Sequence, residues 1–182
     1  MYSFTIQTPK GPRTIGHGNP CFLVAEMSGN HNQEYAKAEA IVRAAAAAGV
    51  DAIKLQTYTP DTMTIDSDKE WFRVLGKDQP DLWKGQKLYD LYKTAYTPWE
   101  WHASLQKLAH ELGLAFFSTP FDDTAVDFLE KFNVPMYKIA SYEATDTLLL
   151  KKVAKTGKPV ILSVGFAERE EVDLAVQTLR DN

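Results

Sequence analysis

The chain has 182 residues, of which 45% are hydrophobic and 24% charged. That balance excludes wholesale disorder, and the length suits one domain or part of a larger one. A net charge of -4, from 20 Lys and Arg against 24 Asp and Glu, gives no global attraction to nucleic acid. The single cysteine, Cys21, excludes an intrachain disulfide and a Cys-rich zinc site, and fits a reducing compartment. The N-terminus lacks the basic start and apolar core of a signal peptide. No apolar run approaches the roughly 20 residues that span a bilayer. The expected location is the cytoplasm, with no membrane partner.

In chain order, Phe4 and Ile6 alternate with polar residues, Pro9-Lys10-Gly11-Pro12 makes a turn, and Thr14-Ile15-Gly16 follows. This predicts a small β-hairpin over residues 1–18, ahead of a main unit over 19–182. Short apolar runs then recur near residues 22–26, 51–56, 115–119, 136–141 and 160–164. Flanked by Gly or Pro, they read as buried parallel strands. Helical patterns lie between them. Glu34 to Ala48 is Ala-rich and stops at Gly49. Thr97-Pro98-Trp99-Glu100 reads as a capping box before Leu105, Leu108 and Leu112. Asp122 or Asp123 is placed to cap the helix carrying Ala125, Phe128, Leu129 and Phe132. Asp146 is placed to cap the one carrying Leu149, Leu150 and Val153, which Gly157 ends. A last helix offers Val172, Val176 and Leu179 as its inner side.

About five β-α units make an α/β protein with a parallel sheet. Glu26-Met27-Ser28-Gly29-Asn30 after the first strand is not a dinucleotide fingerprint. Polar residues recur instead at the C-terminal strand ends, where (β/α)8 barrels build their sites. A whole barrel takes about 250 residues, so the expectation is the N-terminal part of a TIM (β/α)8 barrel. Thr59 to Tyr96 interrupts the rhythm with Trp71, Trp83, Tyr89 and Tyr92. It reads as a partly helical excursion over the barrel mouth, or else as a decorative insertion.

Strand parity places the chemistry. Ile53 and Leu55 share one face of the second strand, and Lys54 and Gln56 the other. The apolar face must meet the helices, so Lys54 and Gln56 point into the barrel. A lysine there needs an anion, either a ligand or the Glu26 carboxylate on the neighbouring strand. Lys138 repeats the situation, with Thr119 and Ser163 on other strands and Ser141 just past a strand end. Two lysines and three hydroxyls around one mouth suit a phosphate or carboxylate. Glu26 and Glu143 are the acidic counterparts, able to bind hydroxyls, move protons or stabilise a developing cation; Glu143 reads equally as a solvated loop residue. No two of His17, His31, His102 and His110 stand at metal-ligand spacing. His102 and His110 read as surface residues of a helix. His31 either lines the site or bonds at a helix start, and Cys21 is inert.

The same residues carry a resemblance. Ala25 to Asn32, Lys54-Leu55-Gln56, Ser118-Thr119-Pro120-Phe121, Tyr137 to Glu143 and Gly157 to Ser163 resemble the sialic acid synthase family. Tyr58 to Thr64 and Leu91 to His102 resemble its pseudaminic acid synthase subgroup. The resemblance implies condensation of phosphoenolpyruvate with an N-acylated amino sugar to a nine-carbon 2-keto acid and phosphate. For the subgroup, the acceptor would be a 2,4-diacetamido-2,4,6-trideoxy-altrose. Carried over by motif, Lys54, Thr119, Lys138, Ser141 and Ser163 would contact phosphoenolpyruvate. Glu26 would stand by the reacting carbons, and Gln56 and Glu143 would contact the sugar. The family uses a divalent metal, Mn or Mg, whose histidine ligands come from later strands than this chain holds. A C-terminal antifreeze-like domain, also absent here, reaches across a homodimer. Ser163-Val164-Gly165 stands where Ser-Thr-Gly is usual. The expectation is therefore a truncated part of a synthase. Two other functions compete: a Schiff-base aldolase using Lys54 or Lys138, and a non-catalytic ligand-binding fragment.

Overall fold

A computed structural model describes residues 3–75 and 83–182. Part of the expected excursion, residues 76–82, lies outside the described residues, as do Met1 and Tyr2. Strands β1 (Ser3–Thr8) and β2 (Gly11–Gly16) form an antiparallel hairpin in which Ser3 faces Gly16. Five further strands follow: β3 (Val24–Glu26), β4 (Ala52–Thr57), β5 (Ala115–Pro120), β6 (Tyr137–Ile139) and β7 (Val160–Leu162). All are parallel, and each pairs with the next in chain order. This is the half-barrel expected from the β-α repeat. The hairpin lies at the N-terminal strand ends: Thr5 to Pro9 share a cavity with Ala115, Val134, Pro135 and Lys158. Ile6 reaches into the common core, and Arg13 ties the hairpin to the Pro20 and Cys21 carbonyls, both at 3.1 Å.

Helices α1 (Tyr35–Ala47), α2 (Pro60–Met63), α3 (Leu88–Ala95), α4 (His102–Glu111), α5 (Asp123–Glu130), α6 (Thr147–Ala154) and α7 (Arg169–Asp181) fill the connections. α1 ends at Gly49, whose φ of +75° suits glycine. Asp122 accepts from the Thr124 and Ala125 amides, and Asp146 from Leu148 and Leu149, so both predicted caps form. No helix among the described residues is long and apolar enough to cross a membrane.

Three local expectations change. Thr97 does not cap α4. A 3-10 turn, Trp99–Trp101, leads into that helix, and the buried Thr97 bonds sideways to His31. On α7, Ala175 and Thr178 are the buried residues, while Val172, Val176 and Leu179 are half-buried beside them. The first barrel strand is not buried on both faces, because β3 is an edge with Leu23 and Val24 exposed.

At the other edge, Ile161, Val164 and Phe166 are exposed. Unpaired strand edges flanked by apolar residues template association. The 182-residue chain expressed by itself is therefore expected to self-associate in sedimentation. A well-folded monomer with both edges free would contradict this.

Candidate active site

The parallel register sets the inner face. Glu26 pairs with Lys54, Lys54 with Phe117, and Gln56 with Thr119, so these side chains share one side of the sheet. Ile53, Leu55 and Phe116 are fully buried on the other side, against the helices. Lys138 pairs with Ile161 on the same inner side as Thr119. Parity thus brings Glu26, Lys54, Gln56, Thr119 and Lys138 together from four adjacent strands.

The Lys54 ammonium forms an ion pair with Glu26, the internal alternative weighed for it, and lies 3.4 Å from Thr119 Oγ1. Glu26 is the more open partner, and its other oxygen accepts the Ser28 amide at 3.1 Å. Lys138 is different. Its ammonium donates to its neighbour's carbonyl, Ile139 O, at 2.7 Å and has no ion-pair partner among the described residues. Burial, and then the positive charge of Lys54, push Lys138 below the ordinary lysine range; Glu26 and Glu143 oppose this.

The remaining expected residues occupy the loops above. Ser141 follows β6, and its Oγ accepts the Phe166 amide at 3.0 Å, joining the loops after β6 and β7. Ser163 follows β7, its amide bonded to Ile139 O at 3.0 Å. Glu143 lies in the 3-10 turn Tyr142–Thr145, and its Oε2 is buried without a hydrogen-bond partner among the described residues. Burial raises its pKa, against the pull of Lys138. Glu143 is thus not a solvated loop residue. An orphaned carboxylate oxygen at a barrel mouth is poised to accept from a ligand hydroxyl or amide, or to hold a proton.

The excursion reaches this mouth. Tyr92 on α3 packs edge-on against Tyr58, just after β4, with ring centroids 5.7 Å apart, and Tyr58 in turn meets Phe121 beyond β5. Burial, then the charges of Glu143 and Tyr142, raise the Tyr92 pKa.

Sequence reasoning missed two features. The first is His102, expected on the surface but fully buried. Its Nε2 lies 2.9 Å from Thr57 Oγ1, which lies 2.7 Å from Ser118 Oγ, while the rings of Phe116, Phe128 and Phe132 surround it. Burial lowers its pKa to about 4, with the backbone at Pro98 and Trp99 opposing weakly. The hint in the sequence was that His102 stands three residues before Leu105, on the apolar face of α4. The second is the loop after β3. Ser28, Asn32 and Gln33 all have φ between +50° and +59°, a conformation costing about 1–3 kcal/mol for a residue other than glycine. His31 is buried inside that loop. Its Nδ1 accepts the Gln33 amide at 3.1 Å, which leaves the ring proton on Nε2, 3.3 Å from Thr97 Oγ1. Of the two roles open to it, His31 takes the bonding one.

Among the described residues, the metal that the resemblance implies has no ready set of ligands. Among the described residues no group of three or more His, Cys, Asp or Glu is arranged to hold an ion; both ring nitrogens of His31 are bonded, and His102 bonds Thr57 through Nε2 while its Nδ1 is buried without a partner.

Comparisons with known proteins agree with this fold. A sequence model of the NeuB family matches residues 41–182. The chain is 46% identical over 161 residues to the pseudaminic acid synthase of Helicobacter pylori, covering 88% of this chain and 46% of that protein. It is 33% identical over 170 residues to the N,N'-diacetyllegionaminic acid synthase of Legionella pneumophila, covering 93% and 47%. Among solved structures, the N-acetylneuraminic acid synthetase of Leptospira borgpetersenii, in complex with citrate, superposes with a TM-score of 0.81 at 28% identity, covering 98% of this chain and 56% of that one. The chain spans about half the length of these relatives.

Proposed function

This chain belongs to the NeuB family, and on that premise we propose that it supplies part of the active site of a longer synthase. That enzyme condenses phosphoenolpyruvate with an N-acylated amino sugar to give a nine-carbon 2-keto sugar acid. The relatives named as pseudaminic, legionaminic and N-acetylneuraminic acid synthases support sugar-acid synthesis, the first most strongly. A homodimer in the cytoplasm, with a hairpin unit over 1–18 and a barrel unit over 19–182, belongs to the same proposal.

The observation that carries the reading is the unneutralised cation. Lys54 has Glu26, but Lys138, on the same inner face, donates to a carbonyl and has no ion-pair partner among the described residues, while Lys54 repels it and Glu26 and Glu143 attract it from beyond ion-pair distance. With Glu26 taken by Lys54, and the anionic form of Glu143 disfavoured by its burial, this face keeps positive charge that an anionic ligand neutralises. In this reading Lys54, Lys138, Thr119, Ser141 and Ser163 hold the phosphate and carboxylate of phosphoenolpyruvate. Gln56 and Glu143 hold the sugar. The enol methylene carbon attacks the aldehyde of the open-chain sugar, and the aldehyde oxygen takes up a proton. Positive charge develops at the enol carbon, where the Glu26 carboxylate stabilises it. Water adds there, and breakage of the carbon–oxygen bond releases inorganic phosphate.

One observation favours a second reading: a lysine with a depressed pKa is also what a Schiff-base aldolase needs. Borohydride with a keto-acid substrate separates the two. The full-length protein is expected to release phosphate only when phosphoenolpyruvate and acceptor are both present, and to retain activity after borohydride treatment. Covalent trapping on Lys138 would establish the aldolase instead.

A further inference from the structure

The excursion is fastened to the loop that follows β3 at three points. Gln33 Nε2 donates to the Tyr96 carbonyl, and at 3.4 Å to the Thr94 carbonyl. His31 bonds Thr97. Gly29 lets the end of α3 approach so closely that a Cβ there would stand 2.9 Å from the Ala95 carbonyl oxygen. These contacts all hold one short stretch, Thr94 to Thr97, immediately after the turn of helix bearing Tyr92. Gln33 holds it from a left-handed backbone, φ +59°, that a long side chain seldom adopts. Such a conformation persists where its surroundings over-determine it, and it clusters at sites that work. The same loop begins at Ser28, whose amide holds Glu26.

We propose that Tyr92 is a further contact residue for the acceptor sugar, and that Gln33 is the positioning residue that clamps α3 so that Tyr92 stays against Tyr58 at the end of β4. The inference rests on the synthase reading above and extends it to residues that the motif resemblance assigns no role. Tyr92 stands against Tyr58 at the end of β4, the strand that carries Gln56, which is a sugar contact in the synthase reading. An aromatic ring with a hydroxyl edge suits a sugar bearing both apolar carbons and polar acylamino groups. Loss of the clamp should therefore be felt by one substrate and not by the other.

The test uses the full-length protein and the variants Gln33→Gly, Tyr92→Phe and their combination. Glycine at 33 accepts the left-handed backbone without strain, so it removes the clamp without undermining the fold. Gln33→Gly and Tyr92→Phe are each expected to raise the acceptor KM by about fivefold to tenfold, with the phosphoenolpyruvate KM changed by less than about twofold. The double variant should be no worse than the poorer single one, because both act on one contact. Independently of turnover, amide hydrogen exchange over Leu91 to Tyr96 should accelerate in Gln33→Gly while the global unfolding midpoint stays or rises. Unchanged exchange would remove the clamp. Equal losses for both substrates, or fully additive losses, would remove the acceptor contact. A wild-type protein with normal synthase turnover and an unaffected Gln33→Gly variant overturns this inference alone. A wild-type protein with no turnover overturns the synthase reading and this inference with it.

Discussion

Lys138→Ala in the full-length protein is expected to weaken phosphoenolpyruvate binding by about tenfold or more, since hydrogen bonds to charged groups are worth about 1.5–3 kcal/mol and 1.4 kcal/mol is one decade. The structure separates the two lysines. Removing Lys138 takes away a cation with no carboxylate partner of its own. Removing Lys54 also strands Glu26, whose charge then faces the incoming phosphate, so Lys54→Ala should bind still more weakly. Glu26→Gln in the Lys54→Ala background should recover part of the affinity, because it removes the stranded charge. Glu26→Gln alone should lower turnover far more than phosphoenolpyruvate affinity if Glu26 stabilises charge that appears only in the transition state. The pH dependence has a definite sign. The Lys138 pKa is depressed, so its share of anion binding is present below that depressed value and is lost as pH rises through it, earlier than for an ordinary lysine. Calorimetry and phosphate-release assays read all of these. Unchanged affinity in both lysine variants would refute the anion receptor.

Acid should destabilise the fold through His102 before most carboxylates are protonated. The folded protein holds this imidazole neutral, with a pKa lowered to about 4 from 6.5, whereas the unfolded chain protonates it below 6.5. Between those values the unfolded state binds more protons, so stability rises with pH across this window and is lost as pH falls through it. At about 1.4 kcal/mol per unit, the whole window is worth about 3 kcal/mol. His31 and His110, also lowered by burial, add slopes of the same sign, and the raised Glu143 opposes them. His102→Gln isolates the effect, because it keeps a polar end for Thr57 and cannot titrate. Denaturant unfolding from pH 7 to 4 should show a much flatter stability profile in that variant. Parallel profiles would mean that His102 does not carry the acid sensitivity.

Local pattern was enough for much of the scaffold. Asp122, Asp146, Gly49 and Gly157 punctuate helices through short-range backbone bonding, and they act where the sequence puts them. Parity in β4 sufficed to turn Lys54 and Gln56 inward, because a strand has only two faces. The ion pair between Lys54 and Glu26 was visible as an alternative, since adjacent parallel strands bring equivalent positions together. What escaped depends on contacts distant in sequence. His102 is buried by Thr57 and by the ring of Phe128 on α5, and its spacing from Leu105, the one local hint, does not by itself separate it from an exposed histidine. Thr97 looked like a cap because the Thr-Pro-x-Glu spacing is local, but His31, 66 residues away, takes its hydroxyl. The left-handed backbone of Gln33 has no composition signal, because glutamine is not a residue that favours it. Glu143 was ambiguous for the same reason: its burial comes from its surroundings in the fold and not from its neighbours in sequence.

The most direct measurement gives the full-length protein phosphoenolpyruvate with a heavy-oxygen label in the bridge between its enol carbon and phosphorus, together with the acceptor sugar. A family synthase using the site described should yield a nine-carbon 2-keto acid and put the label in the released phosphate, as carbon–oxygen cleavage requires. Label retained in the organic product, or carbon–carbon bond formation from pyruvate with no phosphate released, would contradict it.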